Sequence, residues 1–212
     1  MNGLRTWAAA AGLALLAIPI LVEYVDRPVA KFSNEIFGHF TFVSEFAGTP
    51  SFFGPLEILI AAIFVLRRIA LYPLAYPDVV LAQCEISLLT TKFLLSPLKL
   101  LFGRTWPLYG HPSYLIDGVY GFNFFSAGPQ YQTFPSGHAA SICALFGVLW
   151  TAYPGSRPLY TAGAAAMAIV LIAGNFHFVS DVDAGGLLGA SIAAAVIVLW
   201  EFITRELQAS AE

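Results

Sequence analysis

Six stretches of the 212-residue chain are apolar over about the ~20 residues that a helix needs to cross a hydrocarbon core. They run over residues 6–24, 54–71, 79–102, 137–153, 159–176 and 182–203. Pro73 and Pro77 part the second stretch from the third, and Pro154-Gly155-Ser156-Arg157-Pro158 parts the fourth from the fifth. Backbone immersed in lipid has to satisfy its own polar groups, so the pattern predicts an all-α, six-transmembrane-helix bundle. Two connections, both on one side of that bundle, are longer than the rest. Val25 to Phe53 mixes Phe32, Ile36, Phe37, Phe40, Phe42, Val43 and Phe46 with Lys31, Glu35 and Glu45, the pattern of an amphipathic helix lying in the interface. Gly103 to Phe134 is rich in Gly, Pro, Tyr and Phe. With no repeat, low-complexity tract or separate soluble segment, residues 1–212 read as a single integral membrane domain.

Composition agrees: 58% of residues are hydrophobic and 11% charged, more apolar surface than a water-soluble domain of this size carries. A net charge of -3 offers no basic face for nucleic acid. Arg5 followed by Trp7 to Val22 has the outline of a signal peptide. No small-x-small cleavage site follows, so the segment is expected to stay as a span. Arg5, Arg67, Arg68, Arg157 and Arg205 fall on the face opposite the long connections, against Arg27 and Lys31 beside them. That bias predicts the long connections on the periplasmic or external side of a bacterial inner membrane. Cys84 and Cys143, at different depths in apolar segments, are not expected to pair.

Three polar interruptions fall on that same outer face. Pro135-Ser136-Gly137-His138 opens the fourth stretch: Ser136 suits a helix N-cap, the free amides near Gly137 suit an anion, and His138 stands beside them. Taken alone it is equally a plain loop and cap. At the end of the fifth stretch His177 and Asp181 are four apart, which on a helix puts both on one face, so that the carboxylate accepts a proton from one ring nitrogen and leaves the other as nucleophile. A structural pair explains the same spacing. Lys99 and Arg104 end the third stretch, where snorkelling cations are ordinary. Together, two histidines, a carboxylate, two cations and helix amides suit phosphoryl transfer.

On these residues the chain resembles the type 2 phosphatidic acid phosphatase family, whose motifs are Lys-x6-Arg-Pro, Pro-Ser-Gly-His and Ser-Arg-x5-His-x3-Asp. The second is complete in Pro135 to His138, and His177-x3-Asp181 is followed by Ala184-Gly185-Gly186. The resemblance implies His177 as nucleophile, Asp181 orienting it and His138 protonating the leaving group. Lys99, Arg104, Ser136 and Gly137 would bind phosphate. It implies no metal, no other cofactor, and a phosphorylated lipid as substrate: phosphatidylglycerol phosphate, phosphatidic acid, a polyprenyl pyrophosphate or a lipid A. Two motif positions depart from the family. Trp106, before Pro107, stands where Lys-x6-Arg-Pro has arginine, and Val170-Leu171 stand where Ser-Arg is expected, with Asn175 nearby as a neutral donor. Arg104 is then the candidate replacement cation. The departures leave open transfer to a second lipid in place of hydrolysis, or a phospholipid-binding pseudoenzyme.

Three further features have plainer readings. Glu85 and Lys92, seven apart, share a helix face. Gly185 and Gly189 form a Gly-x3-Gly pattern that close helix packing explains without a dimer. His39 and His111 lie in the outer connections. The sequence does not specify the lipid or the oligomeric state.

Overall fold

The computed structural model describes residues 2–38, 53–69 and 75–210. Eight α-helices occupy them: α1 (Asn2–Ile20), α2 (Asp26–Phe37), α3 (Phe53–Ile69), α4 (Tyr76–Phe102), a short α5 (Tyr114–Asp117), α6 (Gly137–Ala152), α7 (Arg157–Ala173) and α8 (Val179–Ala209). Only isolated bridges, all in the 104–132 connection, interrupt the helical pattern among the described residues.

Four helical segments there are long and apolar enough to cross a membrane: Trp7–Phe37, Tyr76–Phe102, Pro154–Ala173 and Val179–Ala209. Ile58–Arg67 and Gly137–Ala152 are apolar but shorter. Each of the six predicted stretches therefore contains a helix, and four have the length of a span.

The first segment differs from the expected layout. The chain does not leave the helix at Tyr24; a π turn over Leu21–Val25 carries it into α2, with the Asp26 amide bonded to the Leu21 carbonyl five residues back. A π turn widens the helix locally and lets it continue past Pro28, which has no amide to donate. What was expected to be an interfacial helix from Val25 is, as far as Phe37, a continuation of the first helix. It buries Asp26, Ala30 and Ser33, a small and polar face at helical spacing. The rest of that amphipathic stretch, including His39, lies outside the described residues.

The core is the pairing of α6 with α8, flanked by α4 and α1. Two glycines set its closeness. A Cβ on Gly185 would stand 2.3 Å from the Ser136 carbonyl oxygen, and one on Gly189 2.0 Å from that of Ala140. The Gly-x3-Gly pattern thus serves packing within the bundle. Gly189→Ala is expected to pry α6 from α8 and cost roughly 1–3 kcal/mol by overpacking. Gly186→Ala, whose Cβ would meet Cys143 Sγ at 3.6 Å, should be nearly silent. Thermal unfolding of the two variants in detergent checks this.

At the opposite end from the site, Arg67 pairs with Asp78, which also accepts the Ala75 amide at 2.9 Å. Glu85 is half-buried on α4 and Lys92 exposed, and both cysteines are free thiols.

Candidate active site

Helix ends assemble the site. α4 stops at Gly103, whose φ of 54° is left-handed and whose Cβ would stand 1.9 Å from the Asn123 carbonyl oxygen, so no larger residue can make this turn. The turn sends Arg104 inward while Lys99, the last basic residue of α4, remains at the rim. Ser136 caps α6, its Oγ accepting the Ala139 amide at 3.3 Å, after a cis Phe134–Pro135 bond. The Ser136 amide in turn donates to the Asp181 carbonyl at 2.9 Å, which locks the start of α6 to the start of α8. All seven residues singled out in the sequence, Lys99, Arg104, Ser136, Gly137, His138, His177 and Asp181, therefore gather at one end of the bundle.

The connection between His177 and Asp181 is not the direct one their spacing suggests. His177 precedes α8 and is not helical, while Asp181 lies in the first turn, where Oδ2 accepts the Phe178 amide at 2.9 Å. The nearest His177–Asp181 approach is Nδ1 to Oδ2 at 3.6 Å, too long for a hydrogen bond. Thr133 fills the gap. Its hydroxyl donates to Asp181 Oδ2 at 2.8 Å and lies 3.0 Å from His177 Nδ1. A hydroxyl has one proton, so a Thr133 that donates to the carboxylate must accept from the ring. The network assigns the proton to Nδ1 and the lone pair to Nε2. His177 is buried, and burial is the main cause holding its pKa below the ordinary 6.5; Lys99 pushes the same way, and together they outweigh the pull of Asp181. The ring is therefore neutral at neutral pH.

Arg104 has no exposed surface. Nη1 donates to Ser180 Oγ and Asp181 Oδ1, both at 2.6 Å; Nη2 donates to Asp26 Oδ2 at 2.7 Å and to the Tyr120 hydroxyl at 2.9 Å. The guanidinium also lies 4.4 Å from the ring centre of Phe178 and 4.8 Å from that of Phe122. Burial works against its charge, but Asp181 and Asp26 override that and raise its pKa. The expectation that Arg104 binds phosphate meets a different placement: it braces Asp181 from behind, with both terminal nitrogens used within the protein. Asp26, which the sequence did not single out, completes the brace by also accepting the Ser180 amide at 2.9 Å and the Ser180 hydroxyl. The signal was faint: an aspartate just past the first apolar stretch and next to Arg27, with Ala30 and Ser33 one and two turns on.

Nearer the surface, the His138 and His177 ring centres are 6.4 Å apart. Trp106 packs 5.3 Å from the His177 ring and spends its indole N–H on the Pro129 carbonyl at 2.7 Å. The Lys99 ammonium donates to the Gln132 carbonyl at 2.6 Å and lies 5.9 Å from the Trp106 ring centre. Leu171 is fully buried among Ala139, Met167, Val170, Phe176 and Val182. Asn175, considered as a neutral donor to the site, points elsewhere. It is buried with a left-handed φ of 53°, and with its amide set to satisfy both neighbours it bonds the Ala30 carbonyl and the Asn34 amide of α2 at 3.2 Å each. His111 stays in the exposed loop, 3.2 Å from Asp117, whose pKa is lowered chiefly by the Ser113 amide.

A helical, membrane-crossing bundle with a buried histidine wired through a hydroxyl to a braced carboxylate, beside a capped helix N-terminus, defines the class. The chain belongs to the PAP2 superfamily, whose sequence profile matches residues 81–205. The lipid A 1-phosphatase of Rhizobium johnstonii is 30% identical over 102 residues, 47% of this chain and 40% of that protein. The lipid A 1-phosphatase of Rhizobium etli is 29% identical over 102 residues, 47% and 42% of the two chains. The aligned stretch thus spans less than half the length of either relative. In fold, the chain is similar to the crystal structure of a transmembrane PAP2 type phosphatidylglycerolphosphate phosphatase from Bacillus subtilis, with a TM-score of 0.52 at 19% identity, covering 91% of this chain and 96% of that one.

Proposed function

We propose that this protein is a lipid phosphatase of the inner membrane, with six spans and its site on the periplasmic or external side, acting through a phosphohistidine on His177. The observation that carries the reading is the hydroxyl relay: Thr133 accepts the Nδ1 proton and leaves the Nε2 lone pair of a neutral ring as the nucleophile. Nε2 attacks phosphorus, the bond to the leaving oxygen breaks, and His138 gives that oxygen its proton. Water then attacks phosphorus, returns a proton to His138 and frees His177. Lys99 and the α6 amides at Gly137 hold the phosphate oxygens, and Ser136 shapes that helix end. Asp181 orients His177 through Thr133, with Arg104 and Asp26 behind it. The reading needs no metal ion, because side chains supply nucleophile and acid and the cation and amides carry the charge. Substrates in scope are phosphatidylglycerol phosphate, phosphatidic acid, a polyprenyl pyrophosphate and the phosphate of a lipid A, the last being favoured as the first trial by the sequence similarity to lipid A 1-phosphatases.

The test is to incubate purified protein, in chelator, with each of these lipids labelled on phosphorus and to quench in base, where a phosphorus–nitrogen bond survives. Label on the peptide containing His177, together with released phosphate, is expected. Steady phosphate release with no label on that peptide overturns the mechanism.

A further inference from the structure

We infer that the phosphoryl group accepted at His177 carries a single negative charge when bound, as a lipid phosphodiester or as a monoester that keeps one proton. This rests on the reading of His177 as the attacking group and narrows its substrate.

The basis is the supply of positive charge. The chain has ten Lys and Arg residues in all. Arg5, Arg67, Arg68, Arg157 and Arg205 belong by their place in the helices to the end of the bundle away from the site. Lys92 is seven residues before Lys99 on α4, about 10 Å further along the helix axis. Arg27 accompanies Glu23, at 3.8 Å, and lies 5.3 Å from the Tyr120 ring; with Lys31 it lines a groove beside Tyr24 and Tyr114 whose walls include neither His138 nor His177. Arg104 is sealed between two carboxylates. Among the described residues Lys99 is left as the one lysine or arginine beside His177, bonded to a backbone carbonyl and an indole face.

The neighbouring side chains add no charge. Trp106 packs on the His177 ring with its one donor already committed to Pro129, and Leu171 is buried in an apolar cluster with Ala139 and Phe176. Asp26, Arg104 and Asp181 together carry one net negative charge, which Lys99 balances. A dianionic phosphate would add two negative charges against the one that a proton on His138 can offset, leaving one uncompensated beside the buried His177, where it costs far more than in water. A monoanion brings one, and a proton on His138, needed anyway for the leaving group, offsets it. With a diester the bonds balance as before: N–P forms and P–O breaks, His138 protonates the leaving alkoxide, and water then replaces nitrogen to release a phosphomonoester.

The experiment takes the fastest monoester from the lipid panel and its methyl diester, and measures kcat/KM at pH 5.5 and 8.0 for wild type and Trp106→Arg. A monoester loses its last proton near pH ~6, so wild type should slow on the dianion while the added cation of Trp106→Arg rescues it. The wild-type ratio of pH 5.5 to pH 8.0 activity is expected to exceed the variant's by at least about tenfold, the order expected for one charge in such a site. Equal ratios overturn the inference. Inhibition by a lipid phosphonate monomethyl ester, a monoanion at both pH values, is measured alongside in each protein and the monoester ratios are read relative to it, because an arginine beside His177 shifts the enzyme's own titrations. Turnover of the methyl diester at the pH 5.5 monoester rate identifies the diester as the source of the monoanion, and its inertness identifies the protonated monoester. Should Trp106→Arg not fold, inhibition of wild type at pH 8.0 by a lipid phosphonate and by its monomethyl ester decides. Tighter binding of the ester supports the inference, and tighter binding of the dianion overturns it. Undiminished turnover by His177→Ala would instead remove the nucleophile assignment itself, whatever the ratios.

Discussion

His177→Ala protein is expected to fold and to release no detectable phosphate from any lipid that wild type hydrolyses. The loss should be complete because in the proposed mechanism the ring supplies the bond to phosphorus, and no neighbour is placed to replace it: Thr133 is committed to Asp181, and the His138 ring centre is 6.4 Å away. Folding should survive, since the change removes a neutral ring and leaves Thr133 its bond to the carboxylate. The same variant reports on pH. Because burial holds the native His177 pKa below 6.5, the unfolded chain takes up a proton near pH 6.5 that the native protein refuses. His177 therefore takes nothing from stability above that pH and lowers it as the medium is acidified, down to the depressed native pKa. Thermal unfolding in detergent should show wild type losing stability between neutral and mildly acidic pH more steeply than His177→Ala. By the same depression, the acid limb of wild-type activity that belongs to His177 should lie below pH 6.5. Residual phosphate release by the variant at a tenth of the wild-type rate would sink the assignment.

Arg104→Met should be worse than a loss of activity: the protein is expected not to accumulate in the membrane in folded form. Methionine fills much the same space but leaves Asp26 and Asp181, both fully buried, without the cation between them. Breaking a buried pair from one side typically costs about 3–5 kcal/mol, and here two carboxylates lose their partner at once. That is a large part of the ~5–15 kcal/mol that holds a domain together. Asp26→Asn should be milder, because its amide oxygen can still accept the Ser180 backbone N–H and Arg104 keeps Asp181. The ordering, Arg104→Met far below Asp26→Asn in folded yield and melting temperature, separates bracing from phosphate binding. A purely phosphate-binding Arg104 would give a folded protein with a raised KM.

The contrast between these residues marks what was legible in the sequence. Helices were readable because lipid leaves the backbone few alternatives, and Pro135-Ser136-Gly137-His138 was readable because a turn and cap are written in consecutive residues. The gathering of Lys99, His138 and His177 at one end followed from counting spans. The roles of charged residues did not follow. Arg104 two residues from an expected arginine looks like its replacement, and only the left-handed turn at Gly103 sends it inward. Thr133 stands two residues before Pro135, yet its bridge depends on His177 sitting just outside α8, a matter of where a helix starts, which spacing alone does not fix. Asp26 was hidden because its partners are 78 and 154 residues away in sequence. The helix that carries it runs on through a π turn past a proline that sequence rules take for a break.

The brace has a bearing on how the protein is made. Its members are delivered in the order Asp26, Arg104, Tyr120, Thr133, Ser180 and Asp181, so the first carboxylate waits for its cation until the fourth helix has emerged, and the site waits for the eighth. Before α8 is inserted, a ribosome-bound chain holds Asp26 and Arg104 with half their bonds unmade. Nascent chains arrested before residue 177 lack the proposed nucleophile, and those arrested just past 181 hold every residue proposed for the chemistry but not the α8 body that clamps α6 through Gly185 and Gly189. The brace and the α6–α8 clamp are thus completed together, only once α8 has joined the helices that precede it.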